Sequence, residues 1–311
     1  MKDSKKVLLD GNTQSRRKFI TAMCTVAGAE ILLSLPLISK AGTYLMPDEK
    51  ITVGQIMDRF IKDVPGGILK QTVDILKSGS ADMEVTGIVT SMFATIEVIR
   101  KTMAAGANFI IAHEPTFYNH EDAIEWLKND RVYQYKSALL KDNNIAVWRC
   151  HDYIHRMIPD PVTIQTLLKL GWEKYADKKI PNLITIPSTP LKDLILYCKN
   201  KLGIDQLRYI GDLQQDCVRI LLYPGAVGRN THISGINYFK PDVLICGEMS
   251  EWETAEYIRD EESKGDKIAL IVLGHIASEE SCSVFLIDWL KEKFPSIKSQ
   301  FIPSGNSLHF L

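Results

Sequence analysis

The feature that most constrains the fold is an alternation of short β-rich runs with segments of helical periodicity. The predicted strands are residues 83–93, 109–112, 145–150, 207–210, 218–223, 243–246, 268–273 and 300–303. The predicted helices are residues 96–105, 123–141, 162–170, 191–201, 251–262 and 278–293, and residues 178–190 are interpreted as irregular. Because strands that alternate with helices are typical of helix-covered sheets, the predicted fold class is α/β.

The first 41 residues are predicted to be an export signal. The basic segment Ser15-Arg16-Arg17-Lys18-Phe19-Ile20 precedes an apolar run that ends in small residues around Ala41. This order is the layout of a signal peptide, and the paired arginines resemble the twin-arginine class. An uncleaved membrane anchor is the alternative, although Pro36 and Glu30 weaken a spanning helix. We expect cleavage after Ala41, a periplasmic or extracytoplasmic location, and a body over residues 42–311 without a stable membrane anchor.

The charge of the body disfavours nucleic acid as a partner. The first 41 residues hold seven Lys or Arg and three Asp or Glu, which leaves 30 basic and 35 acidic residues in the body. A mildly acidic protein lacks the concentrated positive field that phosphate backbones require.

The cysteines show no disulfide framework. Five cysteines remain after the predicted signal, and none has CxxC spacing. Several lie in apolar segments, where buried thiols commonly act as small hydrophobic side chains. We therefore expect mostly free, buried thiols.

Four of the seven histidines come directly after predicted strands. His113 follows residues 109–112, His151 and His155 follow residues 145–150, and His275 follows residues 268–273. In an open α/β sheet the carboxyl ends of the strands face a common crevice, so loops that are remote in sequence can build one site.

The first and last of these loops pair histidine with glutamate. Glu114 is adjacent to His113, and Glu279 lies four residues after His275, behind Ser278, which can cap the following helix. Imidazole suits Zn, Mn, Fe, Co or Ni, and carboxylate can bridge two ions. For either loop alone, a hydrogen-bonded loop histidine or a simple helix cap explains the pattern as well. Their coincidence predicts a metal site, with a fifth ligand from the loop that joins His151 to His155.

Four ordered segments resemble the Nif-three-like dinuclear-metal-centre family, some of whose members are labelled type-two GTP cyclohydrolase I. The segments are VTGIVTSMFATIEVIRKTMAAGANFIIAHEPTFY (85–118), NIAVWRCHDYIH (144–155), PDVLICGEMSEWETAEY (241–257) and LGHIASEE (273–280). The resemblance implies a two-lobed α/β fold with the metal site in the cleft between the lobes. It also implies a homohexameric ring. A second lobe is expected roughly over residues 125–230.

Carried over residue by residue, the family pattern assigns the metal ligands to five positions, His113, Glu114, His155, His275 and Glu279. The family usually has His where Glu114 stands and a bridging Asp where His155 stands. We hypothesise that the two positions have exchanged roles, so that Glu114 bridges and His155 supplies the nitrogen.

The residues around these ligands receive secondary roles. His151 matches the first His of the family's middle motif and is expected to orient a ligand or carry a proton, which makes it the predicted catalytic residue. Asp152, Glu248 and Glu251 are candidates for the edge of the site, although a solvated loop or helix face explains each of them more simply.

The predicted function is a metal-dependent hydrolase that uses divalent transition metal, two ions by the resemblance, on an unknown small-molecule substrate. The predicted export argues against cytosolic GTP. The alternative is a non-catalytic metal-binding protein that acts as a carrier, sensor or scaffold. The sequence contains no Walker phosphate loop and no Gly-x-Ser-x-Gly elbow.

Overall fold

The chain forms two five-stranded sheets in a computed structural model that describes residues 50–309 and residue 311. The strands are β1 (Leu76–Ser78), β2 (Ile88–Ser91), β3 (Phe109–Ala112), β4 (Ala146–Arg149), β5 (Leu183–Pro190), β6 (Arg208–Ile210), β7 (Asp216–Tyr223), β8 (Val243–Cys246), β9 (Ala269–Val272) and β10 (Ser299–Phe301). The helices are α1 (Val53–Asp63), α2 (Ile96–Ala104), α3 (Arg131–Asp142), α4 (Asp152–His155), α5 (Pro161–Leu170), α6 (Leu191–Leu202), α7 (Arg229–Phe239), α8 (Glu256–Lys264), α9 (His275–Glu279) and α10 (Cys282–Lys293).

The first sheet has the strand order β1-β4-β3-β2-β10. Strands β4, β3, β2 and β10 are parallel, and β1 pairs antiparallel with β4 at the edge. Every residue of β2, β3 and β4 is buried. Strands that are covered on both faces have continuous apolar sequences. They can therefore be predicted although apolar and polar residues do not alternate along them.

The second sheet has the order β5-β7-β8-β9-β6, with a parallel centre and antiparallel edge strands. Its strands lie between Leu183 and Val272. Helix α6 packs on one face of this sheet through the buried side chains of Leu191, Leu194 and Cys198.

The α/β prediction is confirmed, and the differences lie in the surface elements. Residues 178–190 are not irregular throughout, because they contain the edge strand β5. Its two prolines weaken the strand signal, yet an edge strand tolerates proline. The helix predicted over 123–141 is wrong over residues 123–130, since Asp130 caps α3 and a separate 3-10 turn precedes it. Helices α1 and α7 were not predicted.

The predicted twin-arginine segment lies outside the described residues. None of the described helices combines the length and the apolar character that crossing a membrane requires. The expectation of free, buried thiols is confirmed for the five cysteines that the structure describes, at positions 150, 198, 217, 246 and 282.

A buried histidine in α7 should make the stability of the fold sensitive to acid. His232 is fully buried, and its Nδ1 lies 2.9 Å from the hydroxyl of Thr254, while Nε2 has no hydrogen-bond partner among the described residues. Burial lowers the pKa of His232 to about 4. The unfolded chain, with a pKa of about 6.5, therefore binds more protons than the folded chain between these two values.

The contribution of His232 to stability is thus present above about pH 6.5 and is lost as the pH falls towards 4. We expect a loss of about 1 to 2 kcal/mol in the free energy of unfolding between pH 7.5 and pH 5. Urea unfolding at both pH values measures it, and His232→Gln should reduce the pH dependence by that amount. Equal acid sensitivity of both proteins would contradict the assignment to His232.

Candidate metal centre

The site begins with a histidine at the end of β3. The backbone of His113 continues the pairing with β2 by donating to the Ser91 carbonyl at 3.1 Å. Its fully buried ring donates from Nδ1 to the Cys150 carbonyl at 3.2 Å. This bond leaves Nε2 as the free nitrogen. Nε2 lies 3.5 Å from Oε2 of Glu279 and makes no hydrogen bond with any described residue.

Glu114 places one carboxylate oxygen between two of the other site residues. Its Oε1 lies 3.2 Å from Nε2 of His275 and 3.8 Å from Nε2 of His151. Burial alone would raise the pKa of Glu114, but the bond from His275 and the nearby imidazoles hold it at about 2. The group is therefore a carboxylate at any physiological pH.

The second loop presents two imidazoles from the single turn α4. Nδ1 of His151 is bonded to Oδ1 of Asp152 at 2.9 Å, and Nδ1 of His155 is bonded to Oδ2 of Asp160 at 3.0 Å. Each bond orients a ring and leaves its Nε2 free. Burial lowers the pKa of His151 to about 4. Burial also opposes the charged form of His155, but Asp160 raises the pKa of that ring above its usual value.

The three rings of the first two loops form a close cluster. The ring centroids of His113 and His151 are 4.9 Å apart and the planes are stacked at 29°. His155 lies 5.2 Å from His113 and 4.7 Å from His151. Loops that follow two neighbouring parallel strands therefore bring three imidazoles together.

The third loop follows β9, a strand of the other sheet. His275 begins α9 and its Nε2 donates to Oε2 of Glu279 at 3.0 Å, one turn later. Nδ1 of His275 lies 3.5 Å from Oε2 of Glu248. Burial would lower the pKa of His275, but the surrounding carboxylates raise it to about 12. His113 and His275 hold the pKa of Glu279 far below its usual value, although burial opposes this.

Ser278 does not cap the following helix as the sequence suggested. It lies inside α9, where its hydroxyl donates to the His275 carbonyl at 2.8 Å and accepts from the backbone N–H of Gly225 at 3.0 Å. The serine therefore fixes α9 to the turn that follows β7.

Two glycines make room for the third loop. A side chain at Gly225, where φ is +67°, would overlap the carboxylate of Glu279. A side chain at Gly247 would overlap Ser278 and the backbone of Gly225. The close approach of backbone to carboxylate requires residues without Cβ at both positions.

The donor atoms fit a metal ion. Two groups have ligand atoms within 4.8 Å of one another: His113 with His151 and His155, and His113 with Glu114 and Glu279. An unpaired, buried Nε2 on the shared His113 is costly unless a ligand satisfies it. Nitrogen and carboxylate donors together suit a divalent transition metal.

The structure thus brings together all five predicted ligands and His151. It also gives the half-buried Asp152 a direct contact with His151, which places Asp152 at the edge of the site. Glu251 is exposed and pairs with Arg208 rather than with any residue of the cluster. Sequence reasoning missed Asp74, whose carboxylate accepts from the backbone N–H groups of His151 and Tyr153, and no local motif marked it.

Known proteins resemble this chain in sequence and in fold. The chain is 24% identical over 255 residues to a GTP cyclohydrolase 1 type 2 homolog of Clostridium perfringens, covering 76% of this chain and 90% of the relative. A hypothetical protein of Staphylococcus aureus has a similar fold, with a TM-score of 0.67, 17% identity, and coverage of 85% of this chain and 99% of that one. A Bacillus cereus protein related to NIF3 is similar at a TM-score of 0.65 and 14% identity, with coverage of 84% and 99%.

The structural likenesses show a shared fold, and the sequence match assigns the family. The profile of Duf34/NIF3, NGG1p interacting factor 3, matches residues 72–306, which include every strand and every candidate ligand. The chain belongs to the Duf34/NIF3 family.

Proposed function

We propose that this protein is a metal-dependent hydrolase. The observation that carries the proposal is a cavity of about 810 Å³ beside the donor cluster, with His275 and Glu248 in its wall. A carrier, sensor or scaffold needs the ligands alone, whereas an enzyme also needs a concave space next to them, and pockets of this volume hold small molecules. Phe93, Lys169 and Arg208 also line the cavity and offer apolar and cationic contacts to a substrate.

A divalent ion held by His113, Glu114, His155, His275 and Glu279 supplies Lewis-acid activation of water and of a polar bond in the substrate. His151 is the proposed proton carrier. Its Nδ1 is bonded to Asp152, and its Nε2 faces Oε1 of Glu114 at 3.8 Å. A ring held in this way keeps one nitrogen available for proton transfer within the site.

The proposal also covers the number of metal ions, the assembly of the protein, its location and its substrate. Two ions of Zn, Mn, Fe, Co or Ni are proposed because the family resemblance implies a dinuclear centre and the mixed imidazole and carboxylate donors suit these metals. We further propose a two-lobed body with the metal site in its cleft, assembly into a homohexamer, and twin-arginine export to the periplasm. The Clostridium perfringens relative is named for GTP cyclohydrolase, but export would separate this chain from cytosolic GTP, so its substrate is proposed to be another small molecule.

The hydrolase proposal predicts metal-dependent turnover that disappears in His275→Ala. Protein from Gly42 onward is purified, its metal content is determined, and it is screened against phosphoester, cyclic-amide and peptide substrates. We expect at least one class to be hydrolysed, with loss after chelation and recovery after metal is restored. Glu97→Gln, an exposed carboxylate that pairs with Lys101 and lines neither the cavity nor the donor cluster, is the matched control and should retain full activity.

A fully metallated wild-type protein that hydrolyses nothing on this panel would overturn the enzyme and favour a carrier, sensor or scaffold. Equal turnover in His275→Ala would instead show that the reaction occurs elsewhere.

The proposed exchange of roles between Glu114 and His155 has its own test. We expect Glu114→Gln and His155→Gln each to weaken zinc binding by on the order of 10- to 100-fold or more in a chelator competition, since each removes a proposed ligand. His120→Gln is the control, because its ring lies 5.7 Å from His151 but belongs to neither donor group.

A crystal structure of the metal-bound protein decides the point directly. A distance above about 3 Å between either side chain and the nearest ion, well beyond coordination distances, would end the exchange hypothesis.

A further inference from the structure

A buried arginine stands behind the metal centre. Arg149 is the last residue of β4 and is fully buried. Its Nε donates to the His113 carbonyl at 3.4 Å, and its Nη1 donates to the His120 carbonyl. Nη2 has no hydrogen-bond partner among the described residues. The guanidinium is therefore held by hydrogen bonds on one side, and on the side that faces Glu114 it makes no hydrogen bond with the described residues.

Two carboxylates lie near this guanidinium, and one of them is shared with a second buried cation. Nη1 lies 3.7 Å from Oδ2 of Asp122, but the same oxygen lies 3.3 Å from Nζ of Lys77, whose side chain is also buried. Nη2 lies 3.5 Å from Oε2 of Glu114. One Asp122 carboxylate cannot neutralise two buried cations, so Glu114 supplies the second negative charge that Arg149 needs.

The two oxygens of Glu114 consequently face different partners. Oε2 faces Arg149, and Oε1 faces His275 and His151. A planar guanidinium can hold a carboxylate in one orientation more strictly than an ammonium group can. Outer groups of this kind orient metal ligands and tune their affinity.

We propose that Arg149 is a positioning residue that holds Glu114 by Oε2, so that Glu114 presents Oε1 alone to a bound metal. Arg149 touches neither substrate nor metal and acts through Glu114. A bridge from Glu114 between two ions would accordingly run through Oε1. The inference rests on the metal site of the proposed function, and it does not depend on catalysis.

Metal binding in a double-mutant cycle tests the proposal. We expect Arg149→Met to weaken zinc binding by about 10- to 100-fold in chelator competition. In the Glu114→Gln background the same substitution should change affinity by less than about threefold, because residues that act through one contact are not additive. The visible spectrum of the cobalt-substituted protein should change in Arg149→Met, since Glu114 is then free to alter its coordination.

Two further variants separate positioning from general stability. Lys136→Met removes a buried cation that donates to the Thr116 carbonyl at 2.6 Å and forms no ion pair with Asp122 or Glu114, and it should leave the cobalt spectrum unchanged. Arg149→Lys keeps the charge but loses the planar fork, and we expect intermediate zinc affinity. If Arg149→Met does not fold, Arg149→Lys in both backgrounds carries the test.

The results that overturn the proposal differ from those that overturn the hydrolase. An Arg149 variant with normal affinity and spectrum, or with equal losses in both Glu114 backgrounds, removes the positioning role. A protein that binds metal as expected but hydrolyses nothing removes the enzyme and leaves Arg149 in place.

Discussion

Replacing Gly225 with alanine should abolish metal binding while most of the fold remains. The new Cβ would occupy the space of the Glu279 carboxylate, and the backbone at φ +67° disfavours any side chain. Strain of this kind costs about 1 to 3 kcal/mol. Because Glu279 sits between His113 and His275, its displacement removes a proposed ligand and separates two others. We expect a loss of zinc affinity on the order of 100-fold or more.

The same turn contains a matched control. Gly228 also has a positive φ, +81°, but a Cβ there would meet no atom within 4 Å. Gly228→Ala should therefore destabilise the protein through backbone strain alone and leave zinc binding intact. Chelator competition and thermal unfolding on both variants separate strain from displacement of Glu279. Equal zinc affinity in the two variants would mean that Glu279 is not held where the structure places it, or does not bind metal.

The buried strands were predictable because their sequences carry the signal themselves. β3 and β8 are short apolar runs buried on both faces, and the glycines and helical patterns around them mark their ends. Edge strand β5 was missed because it alternates between buried and exposed residues and contains two prolines. Helix α7 was missed because its few buried side chains give a weak amphipathic pattern.

The ligand loops were predictable from strand ends, but the stated reason was incomplete. His113 and His151 follow neighbouring parallel strands of one sheet, as the argument from a common strand edge requires. His275 follows β9 of the other sheet, and its contact with Glu114 is a long-range one between sheets. Sequence periodicity contains no information on how two sheets pack together, so the strand-end argument that grouped all three loops gave no physical reason for including the third.

The supporting residues could not be predicted, because each is separated from its ligand in sequence. Gly225 precedes Glu279 by 54 positions, and Arg149 ends a strand that reads as ordinary core. Neither residue has a spacing that signals chemistry. Both are recognisable only in the structure. A Cβ at Gly225 would overlap the Glu279 carboxylate, and Nη2 of Arg149 is buried with no hydrogen-bond partner among the described residues.

Asp74 is the supporting residue whose loss should move two imidazoles of the site at once. Its Oδ1 accepts from the backbone N–H of His151 at 2.9 Å, and its Oδ2 accepts from that of Tyr153 at 2.8 Å. The carboxylate therefore fixes the start of α4, the turn that carries both His151 and His155. Asp74→Ala leaves two N–H groups without an acceptor in a largely buried place, at a cost of about 2 to 5 kcal/mol in stability.

We expect Asp74→Ala to weaken zinc binding by about 10- to 100-fold as well, because misplacing α4 moves two imidazoles of the three-histidine group. Asp130→Ala is the matched control, since Asp130 also accepts from two backbone N–H groups, at the exposed start of α3. It should cost about 1 kcal/mol in stability and leave zinc affinity unchanged. Chelator competition and urea unfolding measure both effects. Asp74→Asn, which retains one acceptor oxygen, should lie between alanine and wild type in both measurements. Unchanged zinc affinity in a destabilised Asp74→Ala protein would show that metal binding does not need the α4 imidazoles.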